Sequence, residues 1–139
     1  MSVSGTLRLL TAEGDGLRFE ARIAERPIVM DGGRENADAS PVQLLLATIA
    51  ACEAMDVISI LRKQRQVVTA YEVRMSGERA KEHPRRYVAI ELVHRVTGRG
   101  VERGAVEEAL RLSVEKYCSV HHCLRPDLPI TNRIEILEG

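Results

Sequence analysis

The sequence predicts an α+β fold in which antiparallel sheet packs against helices. Two observations carry this prediction: strand-like alternation of apolar and polar residues occurs in pairs of segments, and a helical segment follows each pair. Strands and helices therefore come in blocks and not in β–α–β alternation. With 139 residues and no shift in composition along the chain, the sequence fits a single domain, residues 1–139.

The first block is a predicted hairpin followed by a loop. Residues 6–10 and 17–24 alternate as strands do, and the turn-forming residues 13–16 join them. A short extended segment at 27–30 follows, and the glycine-containing loop 31–39 leads into a helix.

The longest helical segment is predicted at residues 40–66. Ser40 is a favourable N-cap, Pro41 suits the first helical position, and Gln43 lies where a capping-box side chain bonds back to the cap. These three residues fix the start of the helix.

The first half of this helix lacks a polar face, because residues 44–52 include no charged side chain. Glu53 and Asp56 interrupt the apolar run before the roughly 20 residues that a membrane span requires. We therefore expect a core helix of a soluble protein, with no membrane as partner. A chain this short, with few bulky aromatics, encloses such a helix most easily with a second copy, so a homodimer is predicted.

The second block repeats the pattern. Residues 67–75 and 86–96 are predicted strands, and a charged loop at 77–85 joins them. Glycines at 98 and 100 break the strand pattern after residue 96. A second, amphipathic helix is predicted at 101–118 and a last strand at 131–137. His94 shares parity with the apolar residues of its strand, which favours a buried structural histidine over a catalytic one.

Composition excludes some functions. Twenty basic residues balance twenty acidic ones, and one Phe, three Tyr and no Trp offer little for base stacking, so nucleic acid is not an expected partner. The N-terminus has no basic segment followed by an apolar run, which predicts a cytoplasmic protein. Three cysteines in a cytoplasmic chain indicate reactive, metal-binding or buried thiols and not a disulfide framework.

Cys52 and Cys118 are the candidate reactive residues. Cys52 lies about three turns inside its helix, where a cysteine often only fills space. Cys118 is predicted near the end of the second helix, where the helix dipole disfavours a thiolate and suits a resolving role better than an attacking one. Two cysteines on two core helices can meet across the packed pair, as a thiol peroxidase requires, but spacing alone does not give their distance.

Asp56 follows Cys52 by one helical turn. An unpaired carboxylate there would oppose a thiolate, so Asp56 is expected to hold a basic group or a backbone donor in place. Residues 118–123 place two cysteines and two histidines within six positions, but their spacing fits no standard zinc pattern. No metal and no cofactor is predicted.

Three motifs match a known family: Ser-Pro-x-x-Leu-Leu-Leu at 40–46, Ala-Cys-x-x-x-Asp-Val-x-x-Ile-Leu-x-Lys-x-Arg-Gln at 51–66, and Glu-Lys-Tyr-Cys-Ser-Val at 115–120. The chain resembles the OsmC/Ohr superfamily of osmotically inducible and organic hydroperoxide resistance proteins, and most of all its YhfA-like branch. The resemblance implies an OsmC-like fold, in which antiparallel sheets wrap around two central helices in an intertwined homodimer with active sites at the interface.

By this resemblance Cys52 takes the position of the peroxidatic cysteine and Cys118 that of the resolving one. The implied activity is reduction of organic hydroperoxides through a Cys52–Cys118 disulfide. The implied reductant is a dithiol, such as a dihydrolipoyl group on a carrier protein.

Two features depart from the peroxidase members. They place a glutamate in the first helical turn to orient an arginine, where this chain has Val42 and Gln43; Gln43 can bond a guanidinium but cannot supply charge. The activating arginine is not assigned by motif, and Arg18, Arg22 and Arg34 are the candidates. Two alternatives stay open: a non-enzymatic dimer that binds a small apolar or acyl ligand at the interface, and a redox-sensing protein.

Overall fold

The computed structural model describes residues 1–10, 14, 16–33 and 37–139. These residues form two compact units, 1–45 and 46–139, which are taken in turn. The units contain two three-stranded sheets and several helices, which confirms the α+β class. The predicted turn at 13–16 falls partly outside the described residues, and the candidate Arg34 lies outside them.

The first unit is an antiparallel sheet of β1 (Gly5–Leu9), β2 (Arg18–Ile23) and β3 (Arg26–Asp31). The predicted hairpin is β1 and β2, and the extended segment at 27–30 becomes a third strand. Ala24 and Glu25 join β2 to β3 with φ values of 50° and 65°. Two left-handed residues are typical of a two-residue turn whose twist matches the flanking strands.

The loop after β3 is organised by Asp31, which is 6 % exposed. Its carboxylate accepts hydrogen bonds from the backbone N–H of Gly33 at 2.8 Å and of Ala37 at 3.2 Å. Arg18 on β2 donates from Nε to Asp38 Oδ2 at 2.7 Å. These contacts hold the segment that leads to the long helix.

Helix α1 (Pro41–Lys63) begins with the predicted capping box. The Gln43 N–H donates to Ser40 Oγ at 3.2 Å, and the Ser40 N–H donates to Gln43 Oε1 at 3.0 Å. The helix ends earlier than predicted because Arg65 adopts a left-handed φ of 58°.

The second unit is built on the sheet of β4 (Val67–Arg79), β5 (Tyr87–Arg99) and β6 (Ile130–Glu138). The predicted hairpin is β4 and β5, and β5 continues through Gly98, where a Cβ would overlap the Val67 carbonyl oxygen. Strand β6 pairs parallel with β5. The expectation of purely antiparallel sheet was wrong here, because a helical crossover returns the chain so that β6 runs in the direction of β5.

The predicted helix at 101–118 was also wrong as a single element. In its place the chain forms α2 (Arg103–Leu112) followed by a π-helical turn (Ser113–Tyr117). A further short helix, α3 (Ser119–His122), begins after Cys118. The Cys118 N–H bonds the Ser113 carbonyl at 2.8 Å, the spacing of a π-helix. Cys118 itself is extended, with φ −73° and ψ 98°.

The core of the second unit lies between α1, α2 and the sheet. Side chains from the C-terminal half of α1 pack against α2 and β5, and the buried cluster comprises Val57, Leu61, Val96, Val106, Ala109 and Leu110. This packing fixes α1 relative to the segment that carries Cys118.

Only one stripe of α1 is buried: Ile49, Ala50, Glu53, Val57 and Leu61. Met55 is 68 % exposed, so the expected cover on nearly all sides is not met within one chain. Within the described ranges α1 is the single helix long and apolar enough to cross a membrane, and 28 % of its most apolar window is buried. The core helix of a soluble protein passes the same test, so this finding is weak evidence for a membrane span.

Candidate active site

Two of the three thiols meet in the second unit. The sulfur atoms of Cys52 and Cys118 and a carboxylate oxygen of Asp56 all lie within 4.8 Å of one another. Cys118 is fully buried, Cys52 is half-buried, and Cys123 is exposed. The chain thus brings together the two cysteines for which roles were predicted, while the roles themselves stay predictions.

Asp56 anchors the π-helical turn to α1. Its Oδ2 accepts a hydrogen bond from Ser113 Oγ at 2.7 Å, and Ser113 is fully buried. The sequence predicted a basic or backbone partner for Asp56, whereas the observed partner is a hydroxyl group. This bond ties the segment before Cys118 to the helix that carries Cys52.

The position of Cys118 corrects the dipole argument. Cys118 caps the start of α3, and its sulfur accepts a hydrogen bond from the His121 N–H at 3.3 Å. Burial nevertheless raises the pKa of the Cys118 thiol to about 12. The hydrogen bond from the His121 N–H lowers this pKa, whereas the contact with Cys52 and the charge of Glu53 raise it further. Cys118 is therefore a protonated thiol at neutral pH.

Glu53 is a fully buried acid beside this pair. Its two carboxylate oxygens lie 3.9 Å from His94 Nε2 and 4.0 Å from His121 Nδ1, too far for hydrogen bonds. Neither oxygen makes a hydrogen bond of good geometry with a described residue, and the nearby Asn132 amide is its weak polar neighbour. Burial raises the pKa of Glu53 to about 7, the Asn132 amide opposes this shift, and the charge of Asp56 adds to it.

His94 is buried, as its strand parity predicted. It is fully buried, its Nδ1 lies 2.6 Å from the Tyr71 hydroxyl, and its Nε2 lies 2.9 Å from Asn132 Oδ1. Because an amide oxygen only accepts, Nε2 carries the proton and Nδ1 accepts from Tyr71. Burial lowers the pKa of His94, so the ring is neutral.

The remaining candidates lie in the first unit. Arg18 is bound to Asp38, and the exposed Arg22 donates to Glu20 at 3.0 Å. Gln43 has its side-chain oxygen engaged in the cap of α1. The role of each in activating a thiol stays a prediction.

Three further residues of the site were not predicted from the sequence: Glu53, Ser113 and Asn132. Glu53 is four residues from both Ile49 and Val57, so helical periodicity could have placed it in the buried stripe. Asn132 shares the parity of Ile130, Ile134 and Ile136 along β6, which could have placed it on the inward face. Ser113 is three residues after Leu110 and four after Ala109, so the periodicity of α2 could have placed it in the buried stripe as well.

These features define a class: an α+β protein in which two helical segments of the core bring a pair of thiols together. A family model described as OsmC-like protein matches residues 33–133. The chain belongs to the OsmC-like protein family, as the three sequence motifs predicted. It is 40 % identical to Protein YhfA of Escherichia coli (strain K12) over 124 residues, 88 % of this chain and 92 % of that one.

Solved structures agree with this assignment. A hypothetical protein from Aquifex aeolicus VF5 is 29 % identical, with a TM-score of 0.86 over 100 % of this chain and 98 % of that chain. The organic hydroperoxide resistance protein OhrB of Bacillus subtilis is 16 % identical, with a TM-score of 0.63 over 97 % of this chain and 98 % of that chain. At that identity OhrB shows a shared fold alone.

Glu53→Gln should change the pH dependence of stability: compared with the wild type, the variant should be more stable at high pH than it is at low pH. The pKa of Glu53 is raised from 4.5 to about 7, so the wild type loses stability as pH rises from about 4.5 to about 7, the range in which the carboxyl is ionised in the unfolded chain and still protonated in the folded one. Between pH 4 and pH 8.5 the free energy of unfolding of Glu53→Gln should gain about 3 kcal/mol on the wild type. Urea unfolding at several pH values measures this difference.

The matched control is Glu82→Gln, which removes the charge of an exposed glutamate and should follow the wild type at every pH. A comparison across pH also cancels the constant cost of the buried amide. A loss of stability in Glu53→Gln confined to high pH would contradict the expectation, since it would mean that the carboxylate is stabilised by its histidine neighbours.

Proposed function

We propose that this protein is a cysteine-based peroxidase that reduces organic hydroperoxides through Cys52 and Cys118. The observation that carries the proposal is the approach of the two sulfur atoms within 4.8 Å, while the third cysteine is exposed. Cys52 is the more accessible of the pair, which supports its role as the residue that meets the peroxide. The fully buried Cys118 suits the second step.

The chemistry has two oxidative steps. The Cys52 thiolate attacks the distal peroxide oxygen, the O–O bond breaks, and the alkoxide leaves as an alcohol after taking up a proton. The resulting sulfenic acid is attacked by the Cys118 sulfur, and water leaves as the disulfide forms. Because Cys118 is a thiol with a pKa of about 12, it competes poorly for peroxide and enters only after Cys52 is oxidised.

A dithiol then returns the protein to its reduced form by thiol–disulfide exchange. We propose a dihydrolipoyl group on a carrier protein, following the peroxidase members of the family. The apolar residues of α1 around Cys52 favour alkyl hydroperoxides over hydrogen peroxide. Cytoplasmic localisation stays a prediction.

Arg18 is our candidate for the activating cation. In the peroxidase members a glutamate of the first helical turn orients an arginine, and this chain lacks that glutamate. Asp38 holds Arg18 at 2.7 Å, with Arg18 Nε as the donor. We propose that Asp38 supplies the carboxylate that Gln43 cannot.

One equivalent of tert-butyl hydroperoxide should convert the reduced protein to a Cys52–Cys118 disulfide with the loss of two hydrogens. Cys52→Ser should abolish turnover with a dithiol, and Cys118→Ser should accumulate a sulfenic acid at Cys52. Intact mass and peptide mapping measure these products. Cys123→Ser is the matched control and should turn over like the wild type, because Cys123 lies outside the pair.

Absence of peroxide-dependent oxidation of either thiol would contradict the peroxidase and favour the non-enzymatic ligand-binding alternative. Rapid, complete oxidation that no dithiol reverses catalytically would instead favour a redox sensor.

Arg18→Met should slow the first oxidation of Cys52 by at least about tenfold, because a thiolate needs a nearby cation. Asp38→Asn should slow it less, since the amide keeps the hydrogen bond and loses the charge. Stopped-flow measurement of peroxide consumption gives both rates. Arg8→Met is the control, because Arg8 is an exposed arginine on the neighbouring strand. Equal rates in all three variants would exclude Arg18, and Arg22→Met would then be tested.

We also propose that the protein is a homodimer with α1 near the interface. The support is the partial burial of this apolar helix within one chain, including Met55 at 68 % exposure. Sedimentation equilibrium at micromolar concentration should give twice the chain mass. A folded monomer under these conditions would contradict the dimer.

A further inference from the structure

We propose that the reduced protein binds a zinc ion through Cys52, Asp56 and Cys118. The three ligand atoms, two sulfurs and one carboxylate oxygen, already lie within 4.8 Å of one another. Tetrahedral zinc places such atoms about 3.5–3.8 Å apart, given Zn–S near 2.3 Å and Zn–O near 2.0 Å. Side-chain movements of about 1 Å or less therefore close the site.

The donor set selects the metal. Two thiolates and a carboxylate suit zinc, whereas magnesium and calcium prefer oxygen ligands alone. Three protein ligands leave the fourth tetrahedral position for water, as in open zinc sites. The half-buried Cys52 and Asp56 give the ion a route to the fully buried Cys118.

The surroundings already orient two of the three ligands. Ser113 Oγ bonds Asp56 Oδ2 at 2.7 Å, which leaves Oδ1 of the carboxylate for the ion. The His121 N–H bonds the Cys118 sulfur at 3.3 Å, a contact that also stabilises a metal-bound thiolate. Hydrogen-bonded ligands of this kind are typical of protein metal sites.

A second, independent observation favours a cation at this place. Glu53 follows Cys52 directly, is fully buried, and makes no hydrogen bond of good geometry through either carboxylate oxygen among the residues described. A buried carboxyl group of this kind, beside two thiols and the carboxylate of Asp56, is a group that a divalent cation would stabilise.

Zinc binding does not depend on peroxide chemistry, so it can hold or fail independently of the proposed function. It does exclude the disulfide, because a disulfide sulfur carries no thiolate charge to bind the ion. Zinc would thus compete with oxidation for the same two thiols.

The test uses the reduced full-length protein under anaerobic conditions, with cobalt as a spectroscopic probe and zinc as the competitor. Cobalt should produce an intense sulfur-to-metal charge-transfer band with tetrahedral d–d bands, and one equivalent of zinc should remove both. Cys52→Ser and Cys118→Ser should each weaken zinc binding by at least about tenfold and lower the charge-transfer intensity.

Two further variants sharpen the result. Asp56→Asn keeps an oxygen acceptor for Ser113 but loses the ligand charge, so zinc affinity should fall about 10–100-fold with an intact fold. Cys123→Ser is the matched control and should bind zinc like the wild type. Loss of the cobalt spectrum in Cys123→Ser, with retention in Cys52→Ser, would overturn the proposal in favour of ligands within residues 118–123.

A measurement on the unmodified protein covers the case in which Cys118→Ser fails to fold. Zinc should slow alkylation of Cys52 and Cys118 by a maleimide and leave Cys123 unprotected, as read by peptide mapping. Equal alkylation of Cys52 with and without zinc would overturn the proposal.

Discussion

The hydrogen bond from Ser113 to Asp56 is the contact on which the candidate site depends. Ser113 begins a π-helical turn, and the extra residue in that turn changes the direction in which the chain leaves α2. Cys118 is thereby extended and placed against Cys52, within 4.8 Å, where a continued α-helix would present it differently. A half-buried hydrogen bond between a hydroxyl and a carboxylate thus fixes the approach of two thiols that are 66 positions apart in the sequence.

Burial sets the chemistry of this pair. Cys118 and Glu53 are fully enclosed, and the low polarity around them disfavours their charged forms. Cys118 therefore rests as a thiol, and Glu53 changes charge near neutral pH. The more accessible Cys52 is left as the group that can react first with a small molecule. The peroxidase and zinc proposals concern the same two sulfur atoms, because the fold brings the thiols of Cys52 and Cys118 close together.

Helix α1 carries apolar residues on more of its surface than one chain buries. Its buried stripe packs into the core of the second unit, while other apolar positions such as Met55 stay exposed. A second copy that covers this face would complete the burial of the helix, in the way the family resemblance implies. The Arg18–Asp38 ion pair of the first unit is the proposed source of the cation that activates the thiol.

The sequence by itself determined the α+β class, the capping box of α1, the β4–β5 hairpin, the buried His94 and the family. These features depend on local pattern, because hydrophobic periodicity and cap residues act over a few positions. Only the tertiary structure decided the parallel pairing of β6, the π-helical turn, and the cluster of Cys52, Asp56, Ser113 and Cys118. Strand direction follows from where a crossover returns, and a buried polar contact joins elements far apart in sequence. Neither leaves a local pattern in the chain.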